Sequence, residues 1–179
     1  LIGASIALAA RRATLVASVT GCEIDSAKAG EIEKLGLVDH VTTDAVAAVQ
    51  DADLVVMAVP VGALGPLAAQ IVPAMKPGAV LTDTGSTKRS VLRDVDPHIS
   101  GDIHWIPSHP LAGTEHSGPG AGFAELFEGR YWLLLPREVP EEEAARFESF
   151  VTGMGSVSER MDADYHDKVL ALTSHLPHL

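Results

Sequence analysis

The chain has 179 residues, room for one ordinary domain and a little more. Hydrophobic residues make up 46% and charged residues 21%, a globular balance that excludes a disordered chain. The formal net charge of -11 repels phosphate backbones and argues against a nucleic-acid partner, and an anionic substrate would need a local positive patch. Aromatics are only 4%, so the core must be aliphatic, as in parallel sheets flanked by helices.

In chain order, Ile6 to Arg12 reads as a helix rich in small residues and Leu15 to Glu23 as a strand. Cys22, the only cysteine, excludes an internal disulfide, fits a reducing cytoplasm, and reads as a small buried strand residue. Asp25 or Ser26 caps a helix to about Leu35 that Gly36 closes. Leu54 to Val59 is a continuous buried strand ended by Pro60, and a helix follows to about Met75. After the Pro77-Gly78 turn come a strand, Ala79 to Asp83, a helix, Ser86 to Val95, and a short strand, Ile103 to Ile106. Residues Pro107 to Gly122 show no periodicity, and a loop that long inside a compact domain is usually functional. Tyr131 to Leu135 returns as a strand, and Glu141 to Thr152 as a helix whose acidic first turn suits its dipole. Ser156 to Arg160 reads as an edge strand, and Asp162 caps a last helix that still runs at Leu179.

Strands alternating with helices predict a doubly wound, mostly parallel α/β sheet of the Rossmann type. No apolar stretch reaches the ~18 residues of a membrane span, and no leader pattern opens the chain. The opening Leu1-Ile2-Gly3-Ala4-Ser5 lies inside an apolar run without an initiator Met. Dinucleotide-binding domains carry G-x-G-x-x-G between a first strand and a helix, with an acid about 20 positions on. If Gly3 is the third glycine, the first strand and two glycines are expected before residue 1, and Glu23 is the acid. A carboxylate there accepts both ribose hydroxyls and repels a 2′-phosphate, which favours NAD over NADP. Ile2, Gly3, Val59, Pro60 and Ser86 join Glu23 as cofactor-binding candidates. The domain is expected to span residues 1–160, with 161–179 opening a second, helical domain.

Three segments carry the polar residues: Thr82 to Lys88, Pro107 to Gly118, and Ser174 to His178. In open α/β sheets ligands sit outside the carboxyl ends of the strands, where the first two segments fall. Lys88 and Arg89 read as a solvated helix face, and His40, His98 and His104 as surface residues. His175 and His178 are three apart, but without a Cys or carboxylate cluster no metal is expected.

The Leu-Ile-Gly-x-Ser opening, Asp83-x-Gly85-Ser86-x-Lys88, His109-Pro-Leu-Ala-Gly-Thr-Glu-His-Ser-Gly118 and Thr173-Ser-His-Leu-Pro-His178 resemble the prephenate/arogenate dehydrogenase family. They occur in the family's order and cover nearly the whole chain. The resemblance implies NAD-dependent oxidative decarboxylation of prephenate or arogenate in tyrosine biosynthesis, by a cytoplasmic homodimer whose helical second domain completes the substrate site. It implies that His109 bonds the substrate hydroxyl and takes its proton, and that Ser86 bonds the same hydroxyl and can hold His109. It also implies that Thr114 and Glu115 shape the side-chain end of the pocket, and that His166, His175 and His178 project into it from the closing helix. Two other readings stand beside it. A β-hydroxyacid-type dehydrogenase would use Lys168 and leave the His109 loop unexplained. A non-catalytic NAD-sensing module would make the polar strand ends incidental.

Overall fold

The computed structural model describes residues 1–171. The chain enters through α1 (Ile2–Arg12), whose Ser5, Ala7, Ala9 and Ala10 are buried. Strand β1 (Thr20–Cys22) leads into α2 (Ser26–Lys34), capped by the Asp25 carboxylate, which accepts from the N–H groups of Ala27 and Lys28. Gly36 closes this helix at φ +61°, a conformation that favours glycine.

Strand β2 (His40–Thr42) and the short α3 (Ala45–Val49) follow; the sequence reading missed both. Their signals were present but short: three residues of strand, then Asp44 capping the N–H groups of Val46 and Ala47. The expected strand Leu15 to Glu23 shrinks to three residues. The Leu15 N–H bonds back to Ala10 O, and the preceding Thr14 sits at φ +56°, so this stretch closes α1 instead of extending.

Strands β3 (Leu54–Met57), β4 (Val80–Asp83) and β5 (His104–Ile106) form a parallel sheet with β4 in the centre. Between them run α4 (Val61–Ile71) and α5 (Lys88–Val95), each ending in a 3-10 turn. The sheet buries both faces with period-2 alternation. Val55, Met57, Leu81 and Trp105 pack with Leu64, Ala68 and Val91 of α4 and α5. Val80 and Ile106 face the other way, with Ile6, Ala9 and Ala10 of α1. The parallel pair β1–β2 is a separate ladder, with no described strand joining it to β3.

The expected loop begins as a strand. β6 (Ser108–Pro110) pairs antiparallel with β7 (Tyr131–Leu134), which pairs in parallel with β8 (Val157–Arg160). Pro110 has no N–H to give, and β6 is the edge of this sheet, where proline is tolerated. Helix α6 (Glu141–Gly153) sets Phe147 and Val151 beside Phe127 and Trp132, in the core shared with α1. Asp162 caps α7 (Ala163–Leu170) as expected, accepting from the N–H of Tyr165.

Cys22 corrects the sequence reading, because it is exposed. Gly21 faces Val38 and Ile32 of the layer beneath, so the strand alternation turns Cys22 to the other side. Partial desolvation and the nearby Glu23 and Asp44 carboxylates push its thiol up from its ordinary value, the opposite of an activated nucleophile.

Candidate functional site

The carboxyl end of β4 carries a buried polar cluster. Thr82, Asp83 and Ser108 are fully buried, and so is Lys88. The Lys88 ammonium donates to Asp83 Oδ2 at 2.6 Å and to the Ser108 carbonyl at 2.5 Å. Asp83 also accepts from the N–H groups of Gly85 (2.7 Å) and Ser108 (3.2 Å). Ser108 Oγ donates to the Asp83 carbonyl and accepts from the Trp132 indole N–H. Thr82 Oγ1 donates to Ile106 O.

This overturns the sequence reading of Lys88 as part of a solvated helix face. The helix starts at Lys88, directly under the loop from β4, so its side chain runs inward while Arg89 points to solvent. Burial pushes the Lys88 ammonium below the ordinary lysine range even against the Asp83 carboxylate. The ion pair ties the end of β4 to the start of β6, the strand that carries His109.

His109 is partly buried, and its Nδ1 lies 3.0 Å from His166 Nε2. His166, on α7, is fully buried, and its Nδ1 lies 2.7 Å from Asp167 Oδ1. Asp167 in turn accepts from the N–H groups of Lys88 (2.8 Å) and Arg89 (3.0 Å). It thereby caps α5 from another helix, since Thr87 at the N-cap position makes no side-chain cap. No short-range motif announces this cap, because its partners are 79 and 78 residues apart.

Burial pushes His109 down to about 3, helped by the Lys88 and His166 charges and opposed by Asp167. Burial also lowers His166, outweighing its bond to Asp167. Burial acts to raise Asp167, but the Arg89 N–H, the His166 ring and the Lys88 N–H hold its carboxyl below the usual range. At neutral pH the pair is two neutral imidazoles beside a carboxylate.

The other sequence candidates fall in several places. Ser86 is exposed and precedes the helix without capping it, and His109 bonds His166 rather than Ser86. Thr114 and Glu115 are exposed, with Thr114 Oγ1 accepting from the His116 N–H. His40 and His98 are exposed as expected, while His104 is half-buried on β5. Lys168 is exposed on α7. His175 and His178 lie outside the described residues. No group of three or more His, Cys, Asp or Glu able to hold a metal ion occurs among the described residues. None of the described helices is long and apolar enough to cross a membrane.

The nucleotide end is built for close approach. Ile2 opens α1, and a Cβ on Gly3 would sit 3.2 Å from Ala58 Cβ, just past β3. That is the tight helix–strand contact required of the third glycine in the fingerprint. Val59 is half-buried, and Pro60 sits at the N-cap position of α4. Glu23 follows β1, half-buried, with Oε1 accepting the Asp25 N–H. A glycine at a helix N-terminus and an acid at the end of the next strand fit a dinucleotide, whose pyrophosphate and ribose need those groups.

A parallel sheet covered on both faces, with this entry to α1, defines a Rossmann-type nucleotide-binding domain. Residues 6–160 match the profile described as "Prephenate dehydrogenase, nucleotide-binding domain", and the chain belongs to this family. It is 46% identical over 146 residues to the cyclohexadienyl dehydrogenase of Zymomonas mobilis, covering 81% of this chain and 50% of that protein. It is 32% identical over 181 residues to the prephenate dehydrogenase of Lactococcus lactis, covering 100% of this chain and 49% of that one. The crystal structure of the A. aeolicus prephenate dehydrogenase with hydroxyphenyl propionate and NAD+ superposes with a TM-score of 0.90 at 29% identity, covering 99% of this chain and 62% of that one. The Synechocystis arogenate dehydrogenase gives 0.90 at 27%, with the same coverage. The chain spans about half the length of the curated relatives it matches.

Proposed function

We propose that the whole protein oxidatively decarboxylates prephenate or arogenate with NAD, and that His109 is its catalytic base. The observation that carries this reading is the neutral, partly buried His109 at the carboxyl edge of the sheet, backed by His166 and Asp167. Gly3 and Ile2 would hold the pyrophosphate end of the cofactor, Glu23 its adenosine ribose, and Val59, Pro60 and Ser86 its nicotinamide half. Bound NAD supplies the hydride acceptor.

His109 accepts the proton of the substrate hydroxyl as the carbon beneath it loses hydride. The ring carboxylate then leaves as carbon dioxide, and the proton on His109 can return to the phenolic oxygen. Aromatisation supplies the driving force, so the residues mainly orient the ring and hold one proton. Ser86 bonds the same hydroxyl, and Thr114 and Glu115 shape the far end of the pocket. His166 stands behind His109, and His175 and His178 are further candidates for contact with the substrate. The same reading makes the whole protein a cytoplasmic homodimer with a helical second domain.

The test is turnover of the full-length protein with prephenate and arogenate, each with NAD and NADP, followed by reduced-cofactor absorbance. Turnover with either substrate supports the reading, with NAD preferred. A folded protein that binds NAD and turns over neither substrate would overturn it.

A further inference from the structure

We propose that Asp167 and His166 are positioning residues that lock the His109 imidazole in its Nδ1–H tautomer and so make Nε2 the proton-accepting atom. The proposal rests on the reading of His109 as the base.

The chain of bonds admits one polarity. Asp167 accepts from the N–H groups of Lys88 and Arg89, so it meets His166 as a carboxylate and an acceptor. His166 Nδ1, 2.7 Å away, must therefore carry the hydrogen. In a neutral imidazole the other nitrogen then bears the lone pair, so His166 Nε2 accepts. The partner at 3.0 Å, His109 Nδ1, must be the donor. His109 Nε2 is left with the lone pair. It has no hydrogen-bond partner among the described residues. The Lys88 ammonium, fully buried and paired with Asp83, is the other charge near His109 and disfavours a second proton on the ring.

The alternative is a bare His109 with its tautomer set by water. In the lock, the anion at one end is held by the dipole and N–H groups of α5, so the polarity runs from helix N-terminus to base.

The experiment is a long-range proton–nitrogen NMR spectrum of the full-length protein labelled with 15N-histidine, without substrate, with the His109 signals assigned by their loss in His109→Asn. The lock predicts a protonated Nδ1 and a bare Nε2 at His109. In His166→Leu the ring reverts to a tautomer mixture, and kcat falls by about 10²-fold or more with the KM for NAD unchanged. His166→Gln, whose carbonyl can accept from Nδ1–H, restores the tautomer and most of the rate. A bare Nδ1 and protonated Nε2 at His109 in the unsubstituted protein overturns the proposal, whether or not any variant folds. So does an unchanged His109 signal and rate in folded His166→Leu. The spectrum needs no substrate, so absence of turnover with the predicted tautomer present counts against the proposed reaction and not against the lock.

Discussion

Replacing Lys88 by methionine is expected to destabilise the protein by about 3–5 kcal/mol, the usual cost of removing one partner of a buried ion pair. Methionine matches the stem in length and apolar character, so packing changes little. The charge and its two hydrogen bonds are lost, at 2.6 Å to Asp83 and 2.5 Å to the Ser108 carbonyl. The Asp83 carboxylate remains fully buried, with only the N–H groups of Gly85 and Ser108 to compensate it. In urea titrations of the full-length protein, followed by circular dichroism, a slope of ~3 kcal/mol per M turns this into a midpoint shift of roughly 1–2 M. Arg89→Met is the matched control. Its side chain is 72% exposed with one 3.3 Å ion pair to Asp164, and should change stability by no more than about 0.5 kcal/mol. A Lys88→Met cost below about 1 kcal/mol, or equal to that of Arg89→Met, would refute the account of Lys88 as the tie between β4 and β6.

His109→Asn is expected to lower kcat by about 10²–10⁴ while NAD titration still reports binding; equal turnover would remove His109 from the base role. The same residue makes a pH prediction. Its folded value of about 3 lies below its ordinary 6.5, so between those values the unfolded chain binds more protons. Stability should therefore fall as pH drops through that window, by about 2 kcal/mol from this residue near pH 5, and His109→Asn should flatten the fall in urea midpoint. Glu23→Ser should raise the KM for NAD roughly 10- to 100-fold, as losing a charge-assisted hydrogen bond worth about 1.5–3 kcal/mol would, and should narrow the preference over NADP. Steady-state kinetics with both cofactors checks this. Gly122→Ala puts a Cβ 2.6 Å from Ala4 Cβ and 3.1 Å from Ser5 N, and should cost about 1–3 kcal/mol in melting experiments. Gly113→Ala, with nothing within 4 Å, should cost far less.

Wherever physical cause was local, the sequence determined the outcome. Asp162 capped the helix it was expected to cap, and Asp25 rather than Ser26 capped the earlier one, because a carboxylate and the N–H groups it accepts from lie within three residues. The strands around Leu54, Val80 and His104 were legible as apolar runs, since a sheet covered on both faces demands them. His109 stood out as a candidate through the run of residues around it. The features that the sequence left hidden depend on groups far apart in the chain. Lys88 reads as an ordinary helix-face lysine until β6 is laid over it, 20 residues on. Asp167 reads as one more acid on a helix until its carboxylate meets the N-terminus of α5 and the ring of His166. His166 could be assigned to the last helix from the sequence, but its bond to His109 spans 57 residues. Cys22 turned outward because the alternation of a three-residue strand was fixed by Gly21 packing on Val38 and Ile32. Periodicity and caps are properties of neighbouring residues, whereas buried charges and proton-holding chains are properties of whatever the fold brings against them.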